Sequence, residues 1–267
     1  MEAISPDRGA SRRAVKTSTG ILLVFLLLAG CLKTPWDYHQ ADMHMNLGKA
    51  YIEANQYIPA LKELLEAEKY TPSDPRIHFH LGIAYHGIGV DDKAVAALKK
   101  AVDLKPEYSE AHNMLGILYY NTRQWDMAIA SFDRALANLV YETPANALYN
   151  MGRAYHQKGD YPQAMSRYQE ALRRAPNTVL GPIIFKDMGV TSLAMGRVDE
   201  AALHLKRALA DVPDYAEAQY WLAECSARKK DRAEAIRQFQ ALAERAPESE
   251  FGVKAQGRLN DLKQTRD

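Results

Sequence analysis

Three histidines stand at equal intervals and are the first residues in the sequence that could do chemistry. His44, His78 and His112 are 34 residues apart, and imidazole is a common metal ligand. All ligands of one ion must lie about 2 Å from it, whereas equivalent positions of a repeating chain lie a whole repeat apart. We therefore predict that these side chains fill a packing position, and we expect neither a metal site nor a cofactor.

The cysteines are the second candidates for chemistry. The sequence has two, Cys31 and Cys225, and neither has the spacing of a zinc site or of a CxxC pair. Cys225 lies in an apolar helical pattern, where a thiol is typically packed and inert. Motifs for a nucleophile elbow, a phosphate loop or an HExxH site are also missing from the sequence. We therefore predict no catalytic residue and no enzymatic activity.

Cys31 stands directly after the most apolar run of the chain. Four basic residues lie in the first 20 positions, and nine apolar residues follow from Ile21 to Ala29, which is the layout of a secretory signal peptide. An uncleaved membrane anchor would need about 20 apolar residues. An ordinary secretory cleavage after Gly30 would place Leu28 where a small residue is preferred. Both alternatives fit less well than a signal that ends on the cysteine itself.

The letters LAGC at residues 28–31 resemble the bacterial lipobox. The resemblance implies cleavage between Gly30 and Cys31, which removes residues 1–30 as a signal peptide. It also implies diacylglycerol on the Cys31 thiol and a further acyl chain, such as palmitate, on its amine. Two or more acyl chains anchor a protein stably to a membrane. The absence of Asp after the cysteine implies the outer membrane, with the chain on its periplasmic face. Residues 31–40 are then predicted to be a short linker.

Composition narrows the possible partners. The chain of 267 residues is 47% hydrophobic and 25% charged, as is typical of globular proteins. Lys and Arg total 34, Asp and Glu total 33, and the balance persists when the first 30 residues are removed. Capture of a polyanion depends on an excess of positive charge. We therefore expect no nucleic-acid partner and, in the absence of a ligand motif, no small-molecule substrate.

A repeat of about 34 residues occupies the rest of the chain. Gly48, Gly82 and Gly116 are 34 residues apart, and Gly152 and Gly189 follow after 36 and 37. The segments LGKAY, LGIAY, LGILY and MGRAY around them resemble the tetratricopeptide repeat, a helix–turn–helix unit. We predict an all-α, right-handed solenoid of six repeats with a C-terminal capping helix. The predicted repeats are 41–74, 75–108, 109–144, 145–181, 182–215 and 216–249. Residues 250–267 are predicted to be the capping helix, with a frayed tail as the alternative.

The spacing of residue types within the repeat has a physical reason. Small residues at repeat positions 8, 20 and 27 let two helices approach closely, and large residues at positions 4, 7, 11 and 24 fill the gaps. Proline at position 32 ends the second helix because it cannot continue one. One such unit cannot bury its apolar face alone, so successive units must stack.

The first helices of stacked units line a concave face, into which positions 2, 5, 9 and 12 point. In repeats two to five these positions form an apolar and aromatic line with interspersed polar groups. Some of these residues would only pack against neighbours, but contiguous apolar patches typically mark binding sites, and aromatic residues and Arg anchor interfaces. We predict a groove for an amphipathic helix or an extended segment of a protein partner. Its residues are Arg76, Phe79, Ile83, His86, Asn113, Ile117, Tyr120, Tyr149, Arg153 and His156. The same positions of the fifth repeat hold Ile183, Lys186, Val190 and Leu193.

The lipobox, the short linker and the six repeats together resemble the type IV pilus biogenesis lipoproteins (the PilF/PilW family), which are pilotins of the pilus secretin. Tyr141 and Pro144 in the insertion before the fourth repeat, followed by Asn150 and Gly152, add to the resemblance. It implies that the partner is a secretin subunit, which the protein carries to the outer membrane and helps to assemble into multimers. Two other functions remain open: an adaptor lipoprotein for polysaccharide export, and a regulator of peptidoglycan enzymes.

Replacing Cys31 by Ser tests the predicted lipid anchor. Because Ser offers no thiol for acylation, we expect Cys31→Ser to be found unprocessed or in the soluble fraction, as measured by cell fractionation and mass spectrometry of the N-terminus. Cys225→Ser is the matched control and should remain in the membrane fraction. A cleaved Cys31→Ser protein that stays fully membrane-bound would contradict the prediction.

Overall fold

The computed structural model describes residues 33–264, and all regular structure in that range is α-helical. Gly30, Cys31 and the apolar run before them lie outside the described residues. No helix within 33–264 is both long enough and apolar enough to cross a bilayer. The helices are α1 Pro35–Glu53, α2 Tyr57–Tyr70, α3 Pro75–Gly87, α4 Asp91–Leu104, α5 Ser109–Asn121, α6 Trp125–Leu136, α7 Pro144–Lys158, α8 Tyr161–Arg174, α9 Gly181–Ala194, α10 Val198–Asp211, α11 Ala216–Arg228, α12 Arg232–Arg245 and α13 Glu250–Gln264.

The predicted all-α repeat fold is confirmed by this order of short paired helices. Within the described residues the chain forms two compact units, residues 33–89 and residues 90–264. The first unit contains α1 to α3, in which α1 packs against α2 and α3, and α2 packs against α3. Ala60, Leu64 and Ala67 of α2 are fully buried there. These are the small and large positions that the repeat pattern requires.

The predicted linker at residues 31–40 is wrong from Pro35 onward, because α1 already begins there. The Asp37 backbone N–H donates to Thr34 Oγ1 at 3.2 Å, and the Thr34 backbone N–H donates to the Asp37 carboxylate at 2.8 Å. This reciprocal pair is a capping box, which satisfies backbone donors that the first helical turn leaves unpaired. Pro35 takes the first helical position, where its missing N–H costs nothing. The helix therefore starts before the repeat pattern does.

The second unit contains α4 to α13, and its apolar core continues from one helix pair to the next. Tyr168 lies in a buried cluster formed by α7, α8 and α9, and Leu205 lies in one formed by α9, α10 and α11. Phe239 lies in a third cluster, to which α13 contributes the buried Leu259. The last described helix therefore packs against α11 and α12.

Glycine at repeat position 8 sets the distance between the two helices of a pair. A Cβ atom added to Gly116 would lie 2.4 Å from the ring of Phe132, and one added to Gly152 would lie 2.5 Å from the ring of Tyr168. Real Cβ atoms essentially never come closer than 3.0 Å. Phe132 and Tyr168 are themselves almost completely buried and have no room to move aside. The large residue at position 24 therefore occupies the space that a side chain at position 8 would take.

Two of the three evenly spaced histidines hydrogen-bond to the turns between repeats. Two histidines at repeat position 4 each place Nε2 within hydrogen-bonding distance of a proline carbonyl oxygen at the end of the preceding repeat. In the sixth repeat the side-chain amide of a glutamine at position 4 donates to the equivalent proline carbonyl. Since a carbonyl only accepts hydrogen bonds, Nε2 is the protonated nitrogen of both histidines. The pairs are His78 with Pro72 at 2.7 Å, His112 with Pro106 at 2.8 Å, and Gln219 with Pro213 at 2.7 Å. His44 instead places Nδ1 2.7 Å from the Glu63 carboxylate.

Cys225 is packed, as the sequence predicts. Only 1% of it is exposed. Burial raises the pKa of its thiol to about 11, so the thiolate that could react is scarce at neutral pH.

Two glycine substitutions test the role of position 8. Gly116→Ala forces a methyl group against Phe132 and should destabilise the second unit by about 1–3 kcal/mol, as overpacking of a core does. Gly257→Ala is the control, because a Cβ at this exposed site in α13 meets nothing within 4 Å. It should raise stability by up to about 1 kcal/mol through helix propensity. Urea unfolding followed by circular dichroism measures both; equal effects of the two changes would contradict the assigned constraint.

Candidate functional site

A cavity of about 380 Å³ opens in the second unit, between the first helices of four successive pairs. Side chains from α5, α7, α9 and α11 line it, together with one tyrosine from α8. Its walls combine aromatic rings with charged groups, an arrangement typical of ligand sites. The lining residues are Tyr120, Tyr149, Arg153, His156, Gln157, Tyr168, Lys186, Asp187, Val190, Glu217 and Trp221.

The structure brings together four of the ten residues predicted for the groove. Tyr120 of α5 and Tyr149, Arg153 and His156 of α7 all face this cavity. Asn113 and Ile117 of α5 are half-buried but do not line it. The assignment of these residues to partner binding stays a prediction.

The other four predicted residues lie on α3 in the first unit. Arg76 bonds the carboxylates of Asp42 at 2.8 Å and Asp74 at 2.6 Å, so its charge is already neutralised within that unit. Phe79 packs its ring against that of His80. Ile83 and His86 are half-buried.

Arg153 is held by aromatic rings in place of carboxylates. Its guanidinium carbon lies 4.5 Å from the centre of the Tyr120 ring and 5.7 Å from the centre of the Tyr149 ring. Both distances are within the range of cation–π attraction. Within residues 33–264, no carboxylate or other acceptor bonds its N–H groups. Arg153 is therefore held in place but retains its full hydrogen-bonding capacity.

Asp187 is the centre of a hydrogen-bonded group that lines the cavity. The Tyr149 hydroxyl donates to its Oδ2 at 2.9 Å, and the Lys186 ammonium donates to its Oδ1. Lys186 also lies 3.2 Å from the Glu217 carboxylate. Burial alone would lower the pKa of Lys186, but Asp187 and Glu217 outweigh burial and raise it, so the ammonium stays charged. Burial raises the pKa of Tyr149 and the Asp187 charge raises it further, so the phenol remains a donor.

The hydrogen bonds of His156 show which nitrogen of its neutral ring carries the proton. Its Nδ1 lies 2.9 Å from Thr191 Oγ1, and that hydroxyl donates its own hydrogen to the Asp187 backbone carbonyl at 2.7 Å. The hydroxyl must therefore accept from His156, which places the proton on Nδ1. Burial lowers the pKa of His156 below 6.5.

Several residues of the cavity were not predicted. Glu217 stands at position 2 of the sixth repeat, and the predicted groove did not include that repeat. Applying positions 2, 5, 9 and 12 to the sixth repeat as well would have identified Glu217. Asp187 and Trp221 share repeat position 6, one residue beyond position 5, so a wider arc of the helix faces the cavity than the rule allows. Conversely, Leu193 at position 12 is 3% exposed and belongs to the core.

Comparison with known families identifies the repeats. Models described as tetratricopeptide repeat match residues 75–108, 107–177 and 192–257, and a model described as TPR repeat matches residues 48–89. Protein O-mannosyl-transferase TMTC2 of Homo sapiens is 32% identical over 56 residues, which are 21% of this chain and 7% of that protein. The chain thus spans less than a tenth of the curated relatives that it matches.

Two solved structures share the fold over almost their whole length. One is the crystal structure of PilW, a widely conserved type IV pilus biogenesis factor, with 23% identity and a TM-score of 0.72; the match covers 80% of this chain and 97% of PilW. The other is Pseudomonas aeruginosa pilF, with 18% identity and a TM-score of 0.71; the match covers 83% of this chain and 99% of pilF. At these identities the likeness shows the fold alone.

Nuclear magnetic resonance of the His156 ring tests the site geometry. We expect the Nδ1–H tautomer and a titration midpoint below 6.5. Because the folded chain then takes up this proton at lower pH than the unfolded chain, His156 should reduce stability as the pH falls below 6.5. The same ring in the unfolded chain is the reference. An Nε2–H tautomer, or a His156 midpoint above 6.5, would contradict the assigned hydrogen bonds.

Proposed function

We propose that this chain, which belongs to the tetratricopeptide-repeat proteins, is a lipid-anchored pilotin that binds secretin subunits of a type IV pilus and promotes their assembly in the outer membrane. The observation that carries the proposal is the cavity of the second unit, where aromatic rings and an arginine without an acidic partner face one space. Such groups are the usual anchors of protein interfaces.

The extent of the structural likeness supports the pilus assignment over a general scaffold function. Tetratricopeptide repeats occur in proteins of many functions, and a shared repeat alone therefore says little. The matches to PilW and pilF, however, cover 97% and 99% of those chains and 80% and 83% of this one. A chain that shares the fold over that length is a candidate for the same process.

The lipid anchor would supply the membrane targeting. The proposed acylation site, Cys31, precedes the start of α1 at Pro35 by four residues. An extended chain of that length reaches about 14 Å. The folded repeats would therefore stay close to the membrane surface, where a captured secretin subunit has to be delivered.

Recognition in this scheme needs no covalent step. The cavity presents donors, a cation and ring faces, and these groups can bind an amphipathic helix or an extended segment of the secretin. Delivery and local concentration of subunits at the membrane would then favour multimer formation.

A double substitution in the cavity tests the proposal. Arg153→Glu with Tyr149→Ala reverses the free charge and removes one of its supporting rings, so secretin multimers should disappear from heat-resistant gel bands. The control pairs Arg134→Glu with Leu203→Ala, both at exposed positions outside the cavity, and should preserve the multimers. Thermal melts establish that both proteins fold.

Deleting the whole gene separates pilus assembly from the other functions that the repeat fold could serve. A pilotin deletion should abolish secretin multimers and twitching motility. Normal multimers and normal twitching in the deletion strain would reject the pilotin function, whatever the double substitution does.

A further inference from the structure

We propose that Arg153 receives one acidic side chain, Asp or Glu, from the bound partner segment, and that this ion pair selects the segment. The inference rests on the proposed function in one respect: it takes the molecule bound in the cavity to be a segment of a protein. The free hydrogen-bonding capacity of Arg153, the matching of the other charges, and the size of the cavity each support it.

The unused donors of Arg153 are the first observation. The side chain is half-buried, yet within the described range its guanidinium bonds no carboxylate, carbonyl or hydroxyl. The rings of Tyr120 and Tyr149 pack against the guanidinium group and restrict its motion. A guanidinium fixed in this way loses little entropy when it forms a bidentate bond to a carboxylate. The Trp221 indole N–H, which lines the same cavity, also has no acceptor among the described residues.

The other charged groups of the cavity already have partners. Asp187 accepts bonds from Lys186 and Tyr149, and Lys186 also pairs with Glu217. Lys186 is 9% exposed and enclosed by these carboxylates, so a ligand would have to break an existing pair to reach it. Arg153 is therefore the group that can bind an anion without such a cost.

Charge also limits the anion to a single negative charge. Asp187 and Glu217 line the same cavity as Arg153 and would repel a second charge on the ligand. Arg153 and Lys186 already balance Asp187 and Glu217, so one added carboxylate leaves a single net negative charge in the cavity, whereas a dianion leaves two. A phosphate or another dianion is thus a poorer fit than one carboxylate. The exposed fraction of the Glu217 side chain, 27%, allows water to screen the remaining repulsion.

The size and walls of the cavity fit a side chain of a longer segment. A volume of about 380 Å³ lies at the lower end of the usual range for ligand sites, about 300–1,000 Å³. The rings of Tyr120 and Tyr149 and the aliphatic Val190 provide contacts for the methylene groups of an acidic side chain. Neighbouring residues of the segment would remain outside the cavity, in reach of the exposed surfaces of α7 and α9.

A peptide array provides the test. Overlapping peptides that tile the periplasmic part of the secretin encoded in the same genome are immobilised through their C-termini, so no free α-carboxylate is present. Every peptide that contains Asp or Glu is paired with a copy carrying Asn or Gln. The full mature chain is the probe, and its affinity for the peptides that bind is then measured in solution with amidated C-termini.

Substitutions in the protein complete the design. Arg153→Gln should weaken acidic peptides about 10-fold or more, the value of a charge-assisted hydrogen bond, and should remove the difference between acidic and amide copies. Arg153→Lys keeps the charge and should restore part of the preference. Arg134→Gln, at an exposed site of α6, is the matched control and should change nothing.

The outcomes separate this inference from the proposed function. Preference for acidic peptides that depends on Arg153 supports the inference. Equal binding of acidic and amide copies overturns it and leaves the groove in place. A second set of the same peptides is measured in solution with free C-termini. Binding of that set alone would assign Arg153 to an α-carboxylate and overturn the side-chain assignment. If no peptide binds while the intact secretin domain is still captured, the ion pair is wrong and the pilotin function stands; if neither binds, both fall.

Discussion

The close contact between glycine at repeat position 8 and a large side chain at position 24 is the constraint on which the rest of the structure depends. In the second unit Gly116, Gly152 and Gly189 meet Phe132, Tyr168 and Leu205 at distances that leave no room for a Cβ atom. Each pair of helices is thereby fixed at a short separation. Three successive pairs obey this rule, and the next has the small Ala223 at the same position, so the first helices α5, α7, α9 and α11 come side by side and can share one cavity. Tyr168 takes part in both the packing of a helix pair and the cavity, since it fills the gap beside Gly152 and also lines the cavity.

The side chains that looked most reactive in the sequence have structural roles. His78 and His112 hold the proline carbonyls of the turns between repeats, and the glutamine at the same position of the sixth repeat makes an equivalent bond. The buried Cys225 is packed in the core. The polar groups of the cavity form a connected set in which Tyr149, Lys186 and Asp187 satisfy one another. Such a set is rigid because each member has its partner, and it leaves Arg153 as the group still able to bind.

Sequence periodicity predicted the repeat fold and part of the cavity. The repeat spacing places Tyr120, Tyr149, Arg153 and His156 at positions 5, 9 and 12, which point into the concave face, and these four do share a cavity. Asp187 and Trp221 were not predicted because the positional rule assumes the same rotation for every helix about its axis. Whether their side chains line the cavity depends on the actual rotation of each helix. The start of α1 was missed for a different reason: Thr34, Pro35 and Asp37 form a local capping signal that repeat periodicity does not contain. The pairing of Lys186 with Asp187 and Glu217 could not be predicted at all, since it depends on side-chain packing across neighbouring helices.

The central claim is that the cavity of the second unit binds the secretin. Site-specific photo-crosslinking in living cells is its most direct test. A photoreactive phenylalanine derivative is placed at Val190, which lines the cavity, or at Leu203 of α10, which is 67% exposed. The account predicts a crosslink between the Val190 variant and the secretin subunit, and no such product from the Leu203 variant. Crosslinking to the secretin from Leu203 but not from Val190 would contradict it.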